Sequence, residues 1–141
     1  MVVLAILLAA SSPQFAQTAA RMRTEQTAFE LTQLLRYAHQ RAVMQGQRVD
    51  LMWDAQTRRA QMTAPSGQAA PPSEAREQRF LSSTPVPSDI TVHFPDPVSF
   101  FPDGTSQPST IEISHRSNVY TVQVDAATSQ ATLSTPPSAR D

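Results

Sequence analysis

From Gln14 to Gln45 the chain contains neither glycine nor proline, and Ala, Gln, Arg, Leu, Glu and Met dominate the stretch. These residues lose little conformational freedom in a helix, so the run predicts one long α-helix. Gly46 then supplies a residue that adopts the left-handed conformation cheaply, and the helix is expected to end at Gln45. Ahead of it lies an uncharged apolar run, Met1 to Ala10 (MVVLAILLAA), joined through Ser11, Ser12 and Pro13. Pro13 is compatible with a place near a helix start or with a kink in a continuous helix.

Within the helix Ala28, Leu31, Leu35, Ala38 and Ala42 recur at steps of three and four, with Phe29, Leu34 and Val43 expected to widen that apolar stripe. Glu25, Glu30, Arg36 and Arg41 fall elsewhere. A bilayer-spanning helix needs about 20 mostly apolar residues, so Met1 to Ala10 does not cross a membrane by itself. Three readings fit the run: a secretory signal peptide, although nothing basic occurs before Arg21; the start of a buried helix, although no polar face is present; or the inner part of a longer hydrophobic segment.

After Gly46 the periodicity changes from helical to alternating. Val49, Leu51 and Trp53 alternate with Arg48 and Asp50, Asp54 to Thr57 carries turn chemistry, and Arg58 to Met62 completes a predicted hairpin. Thr63 to Glu77 holds Pro, Gly, Ser and Ala with almost no large apolar side chain, the composition of an exposed, mobile loop. Further strands are predicted at Arg79–Leu81, Ile90–Phe94, Val98–Phe101, Thr110–Ser114, Val119–Val124 and Ala131–Ser134, with a Pro-punctuated turn at Thr84 to Ser88. Thr135 to Asp141 reads as a disordered tail. The fold class is therefore α+β: a helical segment over 1–45, an antiparallel β-sheet head over 46–134 and a tail over 135–141.

The side chains do not compose a catalytic, metal or cofactor site. His39, His93 and His115 lie in separate elements without metal-ligand spacing, and no cysteine is present. Asp96 and Asp103 flank Phe100 and Phe101, but no series of oxygen ligands accompanies them, and turn formation is their expected role. No GxSxG elbow occurs, and Gly46, Gly67 and Gly104 stand apart from any phosphate-cradling loop. The net charge is -1, and all 11 basic residues are arginines scattered along the chain, Arg58-Arg59 being the only pair among those nearest the helix and hairpin. No global field attracts nucleic acid. The C-terminal end offers only Arg140 beside Asp141, with Arg116 before it, so DNA is not an expected partner. Phe100 and Phe101, adjacent in a strand, point to opposite faces, and at least one belongs in the core.

Three stretches together resemble the H-type minor pseudopilins of bacterial type II secretion and the FimT-type minor pilins. MVVLAIL is similar to the interior of their prepilin segment. Phe29, Leu34, Leu35, Ala38 and Ala42 followed by Gly46 resemble the stalk-to-head helix. Val98-Ser-Phe-Phe-Pro-Asp-Gly104-Thr-Ser resembles a strand-and-turn signature ahead of an Ile-x-Ile strand and a final Tyr-x-Val-x-Val strand. The resemblance spans residues 1–134 and implies a non-enzymatic subunit without cofactor or small-molecule substrate. Its partners would be the other pseudopilins or pilins of a filament, and its place the bacterial inner membrane, single pass, with the head in the periplasm. The family's cleavage segment, Gly-Phe-Thr-Leu-x-Glu, has no counterpart in these residues, so neither its peptidase site nor its assembly glutamate is carried onto a position here, and Met1 is expected to fall inside a longer segment. A FimT-like minor pilin of type IV pili or DNA uptake is the alternative within the family. A secreted β-domain binding module whose Met1 to Ala16 is a signal peptide is the alternative outside it.

Overall fold

The computed structural model describes residues 2–64 and 79–135, with side chains over 15–64 and 83–135. One helix, α1, runs from Val2 to Gln45, through Pro13. It stops as the sequence predicts. Gly46 takes φ +62°, and the Gln47 N–H donates to the Ala42 carbonyl at 3.2 Å, the long-range bond of a Schellman ending.

Eight strands follow: β1 Val49–Asp54, β2 Arg59–Ala64, β3 Arg79–Pro85, β4 Thr91–His93, β5 Val98–Phe100, β6 Ser109–His115, β7 Asn118–Val124 and β8 Ala131–Ser134. They build two four-stranded antiparallel sheets, ordered β3-β2-β1-β5 and β4-β6-β7-β8, where the sequence led us to expect one. The chain enters the second sheet at β4, returns to the first so that β5 pairs with β1, and leaves again for β6. Alternation along each strand specifies which face is buried but not which strand is its neighbour, so this interlocking is invisible in the pattern.

The predicted rows are nevertheless the buried rows. Val49 and Leu51 of β1, Ile111 and Ile113 of β6, and Tyr120, Val122 and Val124 of β7 all face inward, with Trp53 packed against the same core. Phe100 is fully buried, and Phe101 lies part-exposed with the Arg48 guanidinium 5.8 Å from its ring centroid. The Pro-punctuated segment differs from expectation, because β3 continues to Pro85 and pairs it with Arg59. Thr63 and Ala64 belong to β2. The rest of the predicted mobile loop, over 65–78, and the tail over 136–141 lie outside the described residues.

Three aspartates shape the turns by the same device. After β1, Asp54 accepts from the Thr57 hydroxyl at 2.8 Å and from the N–H groups of Gln56 and Thr57. Asp103 accepts from the Thr105 hydroxyl and N–H, and Asp125 from the N–H groups of Ala127 and Thr128 and from the Thr128 hydroxyl. Each carboxylate substitutes for the next backbone acceptor, the Asx-turn arrangement. These bonds favour the ionised form and hold all three below the ordinary carboxylate value. The Thr57 hydroxyl is the leading cause at Asp54, the Thr105 hydroxyl at Asp103 and the Thr128 N–H at Asp125.

The passage between the sheets is pinned by Arg58. Its carbonyl accepts from the Val86 N–H at 2.9 Å, and its guanidinium donates to the carbonyls of Pro87 and Ile90. Helix α1 packs against strands of both sheets. It is the shared wall of the core.

Candidate assembly interface

Helix α1 has two faces with different fates. The inner face begins at Thr24 and carries Ala28, Leu31, Leu35, Ala38 and Ala42, each fully buried, with Leu34 nearly so. Its polar members are satisfied within the helix: the hydroxyls of Thr24, Thr27 and Thr32 donate to the carbonyls of Ala20, Arg23 and Ala28 at 2.8 to 2.9 Å. A threonine can therefore sit on the buried face without leaving a donor unpaired.

The opposite face carries a row of exposed apolar side chains, and it packs on none of the described residues. Phe15, Met22 and Phe29 are 77, 64 and 56% exposed, and Tyr37 and Met44 continue the row at 45 and 85%. Phe15, Met22 and Phe29 are spaced by seven, which on a helix drifts by only about 20° per step, and Tyr37 and Met44 fall within about 40° of Phe15 on the other side. Exposed Gln26, Gln33 and Gln40 interleave with them on the same face, so the five form a recurring apolar row rather than a continuous patch, and its regular recurrence along the helix is what suits a packing surface.

Two residues assigned by sequence to the buried stripe belong outside it. Phe29 is more than half exposed and Val43 is 47% exposed. Phe29 lies about 160° around the helix from Leu31 by the shorter arc, nearly on the opposite side. Leu34 belongs to the buried stripe as its position predicts. The signal that separates the faces is the seven-residue spacing of Phe15, Met22 and Phe29, which lies out of phase with the inner stripe of Leu31 and Leu35.

The residues weighed for chemistry stay apart. His39 tilts over Phe100 with ring centroids 6.3 Å apart, His93 is exposed on β4, and His115 is buried at the end of β6. Among the described residues no three His, Cys, Asp or Glu side chains converge as metal ligands would. Asp103 forms its turn, and Asp96 is exposed. Arg58 is committed to the inter-sheet loop, while Arg59 donates to the Ser83 hydroxyl. An open groove of about 1200 Å³ separates the sheets, bordered by Arg48, Pro97, Ser99, Gln107, Asp125 and Gln130 among others. Arg48 closes part of its floor by donating to Asp50 at 2.8 Å and to the buried Ser99 hydroxyl at 2.9 Å.

A helix with one face under a two-sheet head and a row of bare apolar side chains on the other suits a subunit that packs by its helix. The model of one family, type II transport protein GspH, matches residues 27–128. The chain belongs to the GspH family. It is thereby a minor pseudopilin of type II transport, a structural class of protein. The fold agrees with three solved structures. The minor pseudopilin EpsH from the type II secretion system of Vibrio cholerae superposes with a TM-score of 0.64 at 14% identity, over 85% of this chain and 99% of that one. GspH of E. coli gives 0.60 at 17% identity, over 86% and 94%. The type IV minor pilin FimU of Pseudomonas aeruginosa gives 0.60 at 14% identity, over 85% and 92%. No curated protein matches the sequence significantly. FimU relates the fold to minor pilins as well, so the α+β likeness is common to both machines, and the family match is what assigns the chain to the GspH side.

Proposed function

We propose that this GspH-family chain assembles with other pseudopilins through the outward face of α1, with the head in the periplasm and the apolar start held in the inner membrane. The observation that carries the reading is the strip Phe15, Met22, Phe29, Tyr37 and Met44, set opposite the face that the head covers. Burying such side chains against a neighbouring helix contributes on the order of 1.5–3 kcal/mol each when burial is complete, and the strip runs parallel to the helix axis as a bundle requires. Among the described residues no helix is long and apolar enough to cross a membrane. Membrane retention in this reading relies on the apolar run Met1 to Ala10, as the resemblance implies.

The role is mechanical rather than catalytic. The head selects neighbours and the helix supplies packing, with no small-molecule substrate, cofactor or DNA needed. Because the chain has no cysteine, single cysteines can be introduced without background. A cysteine in place of Met22 or Phe29 should cross-link to helices of other pseudopilins in cells producing the secretion machine, whereas one in place of Thr91 on exposed β4 should not. Equal cross-linking from both positions, or none from the helix, would sink the reading.

A further inference from the structure

A second cleft lies between α1 and the β6–β7 turn, near the end of the helix that the head leaves uncovered. It encloses about 340 Å³ and is bordered by Gln17, Ala20 and Arg21 of the helix and by His115, Arg116 and Asn118 of the turn. Its walls are polar and its charge is positive. Most described arginines are already engaged: Arg36 donates to the Ala131 carbonyl, Arg41 to Tyr37 and Gln45, Arg48 to Asp50 and Ser99, Arg58 to Pro87 and Ile90, and Arg59 to Ser83. Arg21 and Arg116, like Arg23, have no hydrogen-bond or ion-pair partner among the described residues.

The contrast between Arg58 and Arg116 is informative. Both occupy turns with positive φ, 51° and 54°. Arg58 uses that position to tie down a loop, whereas the Arg116 guanidinium borders the cleft without an acceptor. His115 borders the cleft on the side of the turn. It is 91% buried, its Nε2 lies 3.6 Å from Asp89 Oδ2, and its Nδ1 is buried with no hydrogen-bond partner. Nδ1 lies behind the cleft surface, so the ring contributes as a wall and not as a ligand.

We propose that this cleft binds a phosphate-type oxyanion, held by the guanidinium groups of Arg21 and Arg116, with His115 as a wall of the site. Two guanidinium forks from different elements suit a tetrahedral anion, whose oxygens accept several N–H bonds at once. Among the described residues Asp89 is the acidic group that faces His115, at Nε2 and away from the two arginines' share of the cleft lining. The same chemistry is offered by a free phosphate and by a phospholipid headgroup. The helix geometry brings the second within reach: Arg21 stands about 16 Å along the axis beyond Ala10, and helical side chains lean toward the N-terminus, back toward the apolar run. The headgroup source rests on the membrane placement proposed above, while the anion site itself does not.

The test uses the full chain, inorganic phosphate, and vesicles of phosphatidylglycerol or of phosphatidylcholine alone. Phosphate should produce saturable NMR shifts at the His115 ring and at the Nε–H groups of Arg21 and Arg116. Arg21→Gln with Arg116→Gln should weaken that response by about tenfold or more, while Arg59→Gln leaves it unchanged. If the ligand is a headgroup, phosphatidylglycerol vesicles shift the same signals and the double variant loses the preference; a response to phosphate with no difference between the vesicles assigns the site to a soluble anion. No saturable response, or a response equal in the double variant, overturns the proposal. Flotation of the wild-type chain with phosphatidylcholine vesicles reports the apolar run separately, so a failed anion site and a failed membrane placement give different results. Unchanged thermal unfolding of the double variant without phosphate confirms that its fold is intact.

Discussion

The inner and outer faces of α1 both carry large apolar side chains and do opposite things. Leu31 and Leu35 on one side are fully buried, whereas Phe29 and Met22 on the other stand largely in solvent. What separates them is the partner. The inner face has a two-sheet core to cover it, and the outer face has no such cover among the described residues, so its apolar side chains are available for a neighbour. A stripe on a helix therefore reports that burial will happen, and only the tertiary structure says whether the burial belongs to folding or to assembly.

The most direct way to break this comparison is to truncate one residue from each face. Leu35→Ala removes a fully buried side chain from the contact between α1 and the sheets, and should cost about 2–5 kcal/mol of unfolding free energy in a denaturant titration. Phe29→Ala should change the same quantity by less than about 0.5 kcal/mol, because the ring touches mainly solvent. Phe29→Arg should keep the fold and lose incorporation into the assembly. If Phe29→Ala destabilised the isolated chain as much as Leu35→Ala, the distinction between the faces would be wrong.

How much of this was legible follows from the same comparison. The inner stripe from Ala28 to Ala42, the stop at Gly46 and the inward rows of β1, β6 and β7 were all read correctly, since each rests on local periodicity or on a conformation that one residue type favours. Phe29 and Val43 were misplaced because two apolar faces blur one another on a single helix. The split into two sheets, with β5 returning to β1, depends on pairing across distant segments, for which alternation carries no label. The cleft at Arg21 and Arg116 escaped for a similar reason, as 95 residues separate positions that only the packed β6–β7 turn brings together.

The boundary where the helix ends offers a smaller effect that touches both faces at once. An added Cβ at Gly46 would meet nothing within 4 Å, so Gly46→Ala should act through the backbone alone, at φ +62°. The expected cost is about 1–2 kcal/mol, the strain of an L-residue held in the left-handed region. Gly46→Asn should recover part of it, because asparagine tolerates that region better. A loss well beyond this range in denaturant unfolding would show that the Schellman ending also sets how the inner face docks.

The smallest effects lie in the head turns, and pH separates them from the packing of the inner face. Asp54, Asp103 and Asp125 are held below the ordinary value of 3.8 by bonds that exist only in the folded chain. A carboxyl whose folded pKa is depressed stabilises the fold above its unfolded pKa, and that contribution is lost as pH falls through the folded value. Asp125→Asn should thus lower the melting temperature slightly at neutral pH, and the gap from wild type should close as pH falls below 3.8 toward the depressed value. The Leu35→Ala gap rests on apolar burial, carries no proton, and should persist across the same range. Thermal melts of wild type and both variants from neutral to acid pH provide the check. Parallel curves for Asp125→Asn would mean that its turn bonds add nothing specific to the ionised carboxylate, and convergence for Leu35→Ala would mean that acid has already loosened the inner face.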